Sequence, residues 1–243
     1  MKKEIAIIGY GRFGKFAACH LKKYFTVFVA DRKPGLRVDP GIRRVALREA
    51  AHKPAIILAV PINQLPSTLR EIAPYLLPGS LVLDVCSVKE RPVEWMKKCL
   101  PGHCFVLATH PLFGPDSAAK TLKGQKIFLH PVRIPAKNFN SIATLLKKTG
   151  LIVHSITPRR HDQLMASTLF LTQLVGRGLL PLVGNGSEIG TDCYRAIVDV
   201  ANVAGRDSVE LFRDMYKYNR YARRIPLQVI KNFQQLIQSL SSM

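Results

Sequence analysis

The stretch Glu4-Ile-Ala-Ile-Ile-Gly-Tyr-Gly-Arg-Phe-Gly14 decides the fold of this chain. Its apolar run, residues 4–8, is short and ends at a glycine, which is typical of a buried parallel strand. Gly9 permits a tight turn, Gly11 lets the backbone approach a pyrophosphate, and Gly14 allows a helix to pack closely on the strand. An amphipathic helix is predicted at residues 12–23, so the stretch predicts a nucleotide-binding βαβ unit.

The second predicted strand, residues 25–30, ends at Asp31, seventeen residues after Gly14. A carboxylate there can accept hydrogen bonds from both ribose hydroxyls of NAD. Arg32 and Lys33 follow directly and could accommodate the extra phosphate of NADP. We therefore predict a nicotinamide cofactor, NAD in preference to NADP, against the alternative of a glycine turn that binds nothing. The predicted cofactor-binding residues are Gly9, Gly11, Arg12, Phe13, Gly14, Asp31, Arg32, Val60 and Pro61.

Strand and helix patterns alternate as far as about residue 155. Strands are predicted at 45–47, 55–60, 81–85, 104–108, 126–130 and 151–155, with helices at 65–77, 89–99 and 137–149. Such alternation predicts an α/β fold, a Rossmann-type doubly wound parallel sheet over residues 1–156.

After Pro158 the apolar residues recur at helical spacing in three segments, 161–183, 187–204 and 207–240. We therefore predict an all-helical C-terminal domain over residues 157–243. About 85 residues make a thin core, so we expect this domain to pack on a second copy of the chain as a homodimer.

The composition limits the classes of partner. Lys and Arg total 36 against 16 Asp and Glu, a formal net charge of +20 that attracts anions. The basic residues are scattered in pairs, which favours solvated faces over a nucleic-acid interface. The five cysteines are odd in number and lack a CxxC spacing, so we expect no disulfide framework and no metal site, in a reducing cytoplasm. No window holds about 18 uninterrupted apolar residues, so we expect no membrane-spanning helix.

Polar residues follow two of the predicted strands. Asp84-Val-Cys-Ser-Val-Lys89 overlaps the end of strand 81–85, and Thr109-His-Pro-Leu-Phe-Gly-Pro115 follows strand 104–108. Ligands bind outside the carboxyl ends of strands in open α/β sheets. Ser87 could donate a hydrogen bond into such a cleft, or it could only cap the next helix. His110 could accept a proton from a substrate hydroxyl, or it could be a structural histidine.

These segments, with Leu58-Ala-Val-Pro61 and His161-Asp162, resemble in order and spacing the prephenate and arogenate dehydrogenases of tyrosine biosynthesis. Three further stretches are similar to the plant-type arogenate branch: Phe170–Arg177, Arg206–Phe212 and Tyr218–Ala222. The resemblance implies an NAD(P)-dependent oxidative decarboxylation of prephenate to 4-hydroxyphenylpyruvate, or of arogenate to tyrosine. It also implies that His110 is the catalytic base and Ser87 its hydroxyl partner.

Such a substrate is a small dianion, and arginine suits its carboxylates. Arg213 and Arg220 are the predicted anchors, with Arg177 third, and Gln173 and Thr109 complete the predicted substrate site.

The sequence departs from the family pattern at three positions, of which Val203 leaves the carboxylate anchor open and Gln173 leaves the choice of substrate open. Val203 stands where many bacterial relatives have an arginine, Gln173 where a histidine is common, and Cys86 where glycine is usual. Two alternatives remain: another Rossmann-type reductase with a helical tail, and a basic nucleotide- or nucleic-acid-binding protein on a degenerate dehydrogenase scaffold.

Overall fold

The first strand lies near the middle of an eight-stranded sheet in the computed structural model, which describes residues 2–183 and 189–241. The strand order is β3-β2-β1-β4-β5-β6-β7-β8. The strands are β1 (Glu4–Ile8), β2 (Thr26–Ala30), β3 (Ile42–Arg44), β4 (Ala55–Leu58), β5 (Leu81–Asp84), β6 (Phe105–Pro111), β7 (Lys126–Arg133) and β8 (Ile152–Ser155).

All strand pairs are parallel except β6 with β7, which is antiparallel. Residues 112–125 join these two strands without a helix, and an antiparallel pair needs no helical crossover. The chain order reverses between β1 and β4, which makes this the switch point where ligands bind in doubly wound sheets. The predicted fold class is confirmed, with one antiparallel pair inside the sheet.

The connections between the strands of this part of the chain contain helices. They are α1 (Arg12–Leu21), α2 (Leu47–Ala51), α3 (Leu65–Ile72), α4 (Glu90–Cys99) and α5 (Ala136–Lys148), with 3₁₀ turns at Ile62–Gln64 and Ala73–Tyr75. The strand predicted at 45–47 was misplaced: β3 lies at Ile42–Arg44, where Ile42 pairs with Val27 and is buried. Residues 47–51 instead form α2, because Leu, Arg, Glu and Ala are strong helix formers.

Two glycines set how closely α1 approaches the end of β1. Gly9 has φ +99°, and a Cβ there would lie 2.5 Å from the Ala59 carbonyl oxygen. A Cβ on Gly14 would collide with the Gly9 carbonyl oxygen, whereas one on Gly11 would meet no atom within 4 Å. The structure therefore needs Gly9 and Gly14 for packing and leaves open space beside Gly11.

The chain divides after Pro158 into two compact units, two residues beyond the predicted domain boundary. The second unit is helical. Its elements are α6 (Pro158–Met165), a π-helical turn (Ala166–Phe170), α7 (Leu171–Val183), α8 (Asp192–Arg206), α9 (Val209–Tyr218), a 3₁₀ turn (Ala222–Arg224) and α10 (Ile225–Ser241).

The predicted helix bounds differ from the structure at two places in this unit. The helix predicted at 187–204 begins at Asp192, capped by the Thr191 hydroxyl, and residues 187–188 lie outside the described residues. The prediction of a single helix over 207–240 is wrong, because the helix is interrupted between α9 and α10, at Asn219. The Asn219 side chain donates to the Asp162 carbonyl at 2.8 Å and accepts from the Tyr221 amide at 3.0 Å. These side-chain bonds replace the helical ladder and turn the chain.

The continuous helix Pro158–Val183 is long and apolar enough to cross a membrane, by length and composition only. Core helices of soluble proteins pass the same test. Gln173 and Arg177 on this helix bond to Asp207 within the helical unit, and a Cβ on Gly176 would lie 2.7 Å from the Ala204 side chain. These contacts seat α7 against α8 and the turn that follows it.

The close contact at Gly14 yields a stability prediction. We expect Gly14→Ala to lower the free energy of unfolding by about 1–3 kcal/mol, although alanine has the higher helix propensity, because the new methyl group meets the Gly9 carbonyl. Urea denaturation would measure this, with Gly11→Ala as the matched control in open space. Equal stability of the two variants would contradict the packing role of Gly14.

Candidate active site

A cleft of about 430 Å³ opens at the carboxyl ends of β1, β2 and β4. It is lined by Ile8, Gly9, Gly11, Ala30, Asp31, Arg32, Leu47, Ala59, Val60, Pro61, Gln64, Thr68 and Glu71. Six predicted cofactor-binding residues are therefore brought together here: Gly9, Gly11, Asp31, Arg32, Val60 and Pro61.

The cleft has the features that a dinucleotide needs. Gly11 is the N-cap of α1, and no side chain caps that helix, so backbone N–H groups of the first turn face the open space beside Gly11. The Asp31 carboxylate is held by two backbone amides, Tyr10 N–H at 2.6 Å and Lys33 N–H at 2.7 Å. Each of its oxygens keeps a lone pair for a ribose hydroxyl. The residues present fit a phosphate pair at the helix end and a ribose at Asp31.

Tyr10, in the middle of the glycine motif, stabilises the turn from its outer side. Its hydroxyl donates to the Asp39 carboxylate at 2.6 Å. Burial, followed by this hydrogen bond, raises the pKa of Tyr10 to about 12. The hydroxyl therefore stays a donor at every physiological pH and ties the glycine turn to the segment before β3.

Two of the predicted cofactor residues face elsewhere. The Arg12 guanidinium pairs with the Asp116 carboxylate, in the loop after β6. The Phe13 ring lies 5.8 Å from that of Phe16, which in turn packs edge-on against Phe113 at 6.2 Å. These side chains couple α1 to the loop that follows His110, and they are not among the residues that line the cleft.

The far wall of the cleft was missed by sequence reasoning. It consists of Leu47 on α2 together with Gln64, Thr68 and Glu71. Gln64, Thr68 and Glu71 are spaced four and three residues apart, so they form one polar stripe on a helical face, a signal that could have been recognised. The Glu71 carboxylate accepts a hydrogen bond from the Arg32 guanidinium at 2.7 Å, which joins the two walls.

Ser87 and His110 belong to neighbouring segments of the sheet, because Ser87 follows β5 and Asp84 of β5 pairs with Ala108 of β6. His110 lies inside β6, opposite Phe128 of β7, and not after the strand as predicted. The strand is longer than predicted because β7 pairs with residues beyond the end of β5. Both side chains are buried, each residue only 7% exposed.

A buried polar network joins the two segments that carry these residues. The Asp84 carboxylate accepts hydrogen bonds from Cys86 N–H at 3.1 Å, from Thr109 N–H at 3.2 Å and from the Lys89 ammonium. Asp84 and Lys89 are both completely buried. Lys89 also donates to the Thr109 carbonyl, and the Thr109 hydroxyl donates to the Asp84 carbonyl. Thr109, predicted to bind substrate, thus has its polar groups engaged in holding β6 beside β5.

The Ser87 hydroxyl has no hydrogen-bond partner within the described part of the chain. It does not cap the next helix, since the N-cap of α4 is Lys89 and no side chain caps that helix. A buried hydroxyl left without a partner costs about 1–3 kcal/mol. The position is therefore suited to a hydroxyl group supplied by a ligand.

The predicted substrate residues of the helical unit fall into two groups. Gln173 is buried; its amide donates to the Asp207 carboxylate at 2.7 Å and its oxygen accepts from Arg177 at 3.2 Å. Arg177 donates to the Asp207 carbonyl at 2.6 Å. Arg213 and Arg220 are exposed, with the Arg220 guanidinium donating to the Tyr221 hydroxyl at 2.9 Å. Gln173 and Arg177 hold the α8–α9 junction.

His161 and Asp162 open the helical unit as a buried pair. The His161 Nδ1 lies 2.8 Å from the Asp162 carboxylate, and both residues are almost completely buried. In residues 2–183 and 189–241, no group of three or more His, Cys, Asp or Glu could hold a metal ion. All five cysteines are free thiols.

Family models match most of the chain. The model described as prephenate dehydrogenase, nucleotide-binding domain, matches residues 32–155, and a second, described as TYRAAT1-like, C-terminal domain, matches residues 184–243.

Two curated relatives have names that agree with the first family model. The chain is 36% identical over 239 residues to a probable arogenate/prephenate dehydrogenase of Methanocaldococcus jannaschii, covering 91% of this chain and 53% of that protein. It is 27% identical over 232 residues to arogenate dehydrogenase 2, chloroplastic, of Arabidopsis thaliana, covering 89% of this chain and 64% of that one. The chain thus spans between about half and two thirds of the length of these relatives.

A solved structure shares the fold over the whole chain. It is the prephenate dehydrogenase from A. aeolicus in complex with hydroxyphenyl propionate and NAD+, with a TM-score of 0.76 at 17% identity, covering 100% of this chain and 92% of that one. At this identity the likeness establishes the fold alone.

The buried ion pair beside the site yields a second stability prediction. We expect Lys89→Met to lower the free energy of unfolding by about 3–5 kcal/mol, because it leaves the Asp84 carboxylate buried without its cation. Urea denaturation would measure it against Lys98→Met, which removes an exposed lysine of α4.

The same experiment includes a double variant. Because the cost arises from an uncompensated charge, Asp84→Asn with Lys89→Met should lose less stability than the two single losses added together. A Lys89→Met protein as stable as Lys98→Met would refute the role of the pair.

Proposed function

Because the chain belongs to the prephenate dehydrogenase family, we propose that it catalyses the NAD(P)-dependent oxidative decarboxylation of prephenate or arogenate. The observation that carries the proposal is the buried Ser87 hydroxyl, which lacks a partner among the described residues, on the segment bonded through Asp84 to the strand of His110. The proposed reaction begins at a substrate hydroxyl, and such a hydroxyl would give the buried Ser87 side chain a hydrogen-bond partner.

The chain's own residues supply positioning and proton transfer. The His110 imidazole accepts the proton of the substrate 4-hydroxyl as the carbonyl forms. Ser87 hydrogen-bonds the same hydroxyl and fixes its orientation. A bound nicotinamide would supply the hydride acceptor. As carbon dioxide leaves, the electrons of the broken carbon–carbon bond enter the ring, which becomes aromatic, and the former carbonyl oxygen takes up a proton. Prephenate then gives 4-hydroxyphenylpyruvate and arogenate gives tyrosine.

NAD is the cofactor that the cleft favours. The Asp31 carboxylate, oriented by two backbone amides, accepts ribose hydroxyls and repels a 2′-phosphate. NADP stays the alternative, because Arg32 lines the same cleft. The free state of all five cysteines suits a reducing compartment, and we propose the cytoplasm.

For the dianionic substrate we propose Arg213 and Arg220 as carboxylate anchors, since both are exposed. Arg177 is the weaker candidate, because it is only partly exposed and its guanidinium holds Gln173 and the α8–α9 junction. Gln173 would act mainly by holding Arg177 and Asp207 in place.

We further propose a homodimer built through the C-terminal helices. Helix α10 has no buried residue, and one side of it is a stripe of large apolar side chains that are 53–70% exposed. The stripe consists of Leu227, Ile230, Phe233, Leu236, Ile237 and Leu240. An exposed apolar surface of this kind marks an interaction site, and a second copy offers the same surface in return.

The dimer is tested by charging the stripe. We expect Phe233→Glu combined with Ile237→Glu to halve the molar mass measured by light scattering after size-exclusion chromatography, because two carboxylates cannot be buried in an apolar interface. Gln235→Glu, on the opposite face of the same helix, should leave the mass unchanged. A wild-type protein that elutes as a monomer would contradict the proposal.

The reaction is tested by following reduced-cofactor absorbance with prephenate and arogenate, each against NAD and NADP. We expect turnover with at least one pair, and a loss of about 10²–10⁴-fold in His110→Asn, because the base is removed. NAD affinity, measured by fluorescence titration, should change little in this variant. Parallel loss of cofactor binding would count against the role of His110 as base.

A further inference from the structure

The outer end of the cleft is closed by an ion pair between its two walls. Arg32 is the second residue after β2, and Glu71 lies on α3, 39 residues later. Their guanidinium and carboxylate groups are 2.7 Å apart, with side chains 60% and 49% exposed. The pair therefore stands at the solvent edge of the cleft, next to Asp31.

The edge of the cleft carries more negative than positive charge. The charged residues that line the cleft are Asp31, Arg32 and Glu71, which sum to one net negative charge. A 2′-phosphate adds nearly two negative charges, and the group suited to bind it is an arginine fork. In this structure that fork is turned to Glu71, so the sequence Asp31-Arg32-Lys33 does not present a free phosphate-binding arginine.

We propose that Glu71 is a specificity-determining residue that selects NAD over NADP by holding Arg32 and by adding its own negative charge at the 2′ position. The proposal rests on the proposed function, since it takes the cleft as the dinucleotide site. It assigns to α3 a role in cofactor choice in addition to that of Asp31, the acidic residue that follows β2. Lys33 contributes its backbone amide to the orientation of Asp31.

The test is isothermal titration of NAD+ and of NADP+ into the full-length protein without substrate. We expect Glu71→Gln to bind NADP+ about tenfold more tightly than the wild type, with NAD+ affinity changed less than about threefold, because one negative charge is lost and Arg32 is released. Because the ion pair is exposed, the variant should keep the melting temperature of the wild type.

Two further variants make the result specific. Glu94→Gln removes the same charge from a comparable exposed pair, Arg91–Glu94 at 2.8 Å on α4, and should not change either affinity. Arg32→Ala with Glu71→Gln should lose most of the gain for NADP+, because the gain acts through Arg32.

The outcomes separate this inference from the function it rests on. If the wild type binds neither dinucleotide, the proposed function and the role of Glu71 both fall. If the wild type binds NAD+ but Glu71→Gln leaves the ratio of the two affinities unchanged, or raises both equally, the role of Glu71 alone is overturned. The role of Glu71 is also overturned if the double variant, Arg32→Ala with Glu71→Gln, keeps the full gain in NADP+ affinity.

Discussion

The buried carboxylate of Asp84 is the group on which the geometry of the candidate site depends. It lies at the last position of β5, where the chain leaves the sheet, and it binds its own turn at Cys86 and the neighbouring strand at Thr109. An isolated charge at this depth would be strongly unfavourable, so Lys89 must lie beside it. The residues that neutralise and satisfy this carboxylate are the immediate neighbours of Ser87 and His110. The hydrogen bonds that stabilise the buried charge therefore also fix the relative position of the segments that contain Ser87 and His110.

Much of the site was open to prediction because its signals are local. The glycine spacing, the strand before it and Asp31 all lie within 28 residues of one another, and the structure places Gly9, Gly11 and Asp31 along one cleft. Arg12 belongs to the same motif, but its partner Asp116 is in the loop after β6, 104 residues away. Phe13 is connected to that loop through Phe16, whose ring packs against Phe113. No local pattern carries that information. Glu71 was not predicted for the same reason. It meets its partner, Arg32, only in the folded structure, where α3 lies near the end of β2.

The helical unit shows the limit of periodicity. A single helix after Asp207 agrees with the spacing of its apolar residues, yet the chain turns at Asn219 because that side chain bonds to Asp162, 57 residues earlier. Asparagine competes with the helical ladder only when such a partner is present. Whether Ser87 caps the next helix was likewise undecidable from sequence, and the start of α4 at Glu90 excludes that role.

The π-helical turn at Ala166–Phe170 affects how this chain can be matched with others. A π turn holds one residue more than an α turn, and one residue rotates everything after it by about 100°. The turn lies three residues before Gln173, whose side chain is thereby directed to Asp207. A homologue with a regular helix here would carry its equivalent residue one position out of step. The residue that corresponds to Gln173 is therefore identified by superposing the helices in space, and an ungapped alignment of the two sequences would select its neighbour.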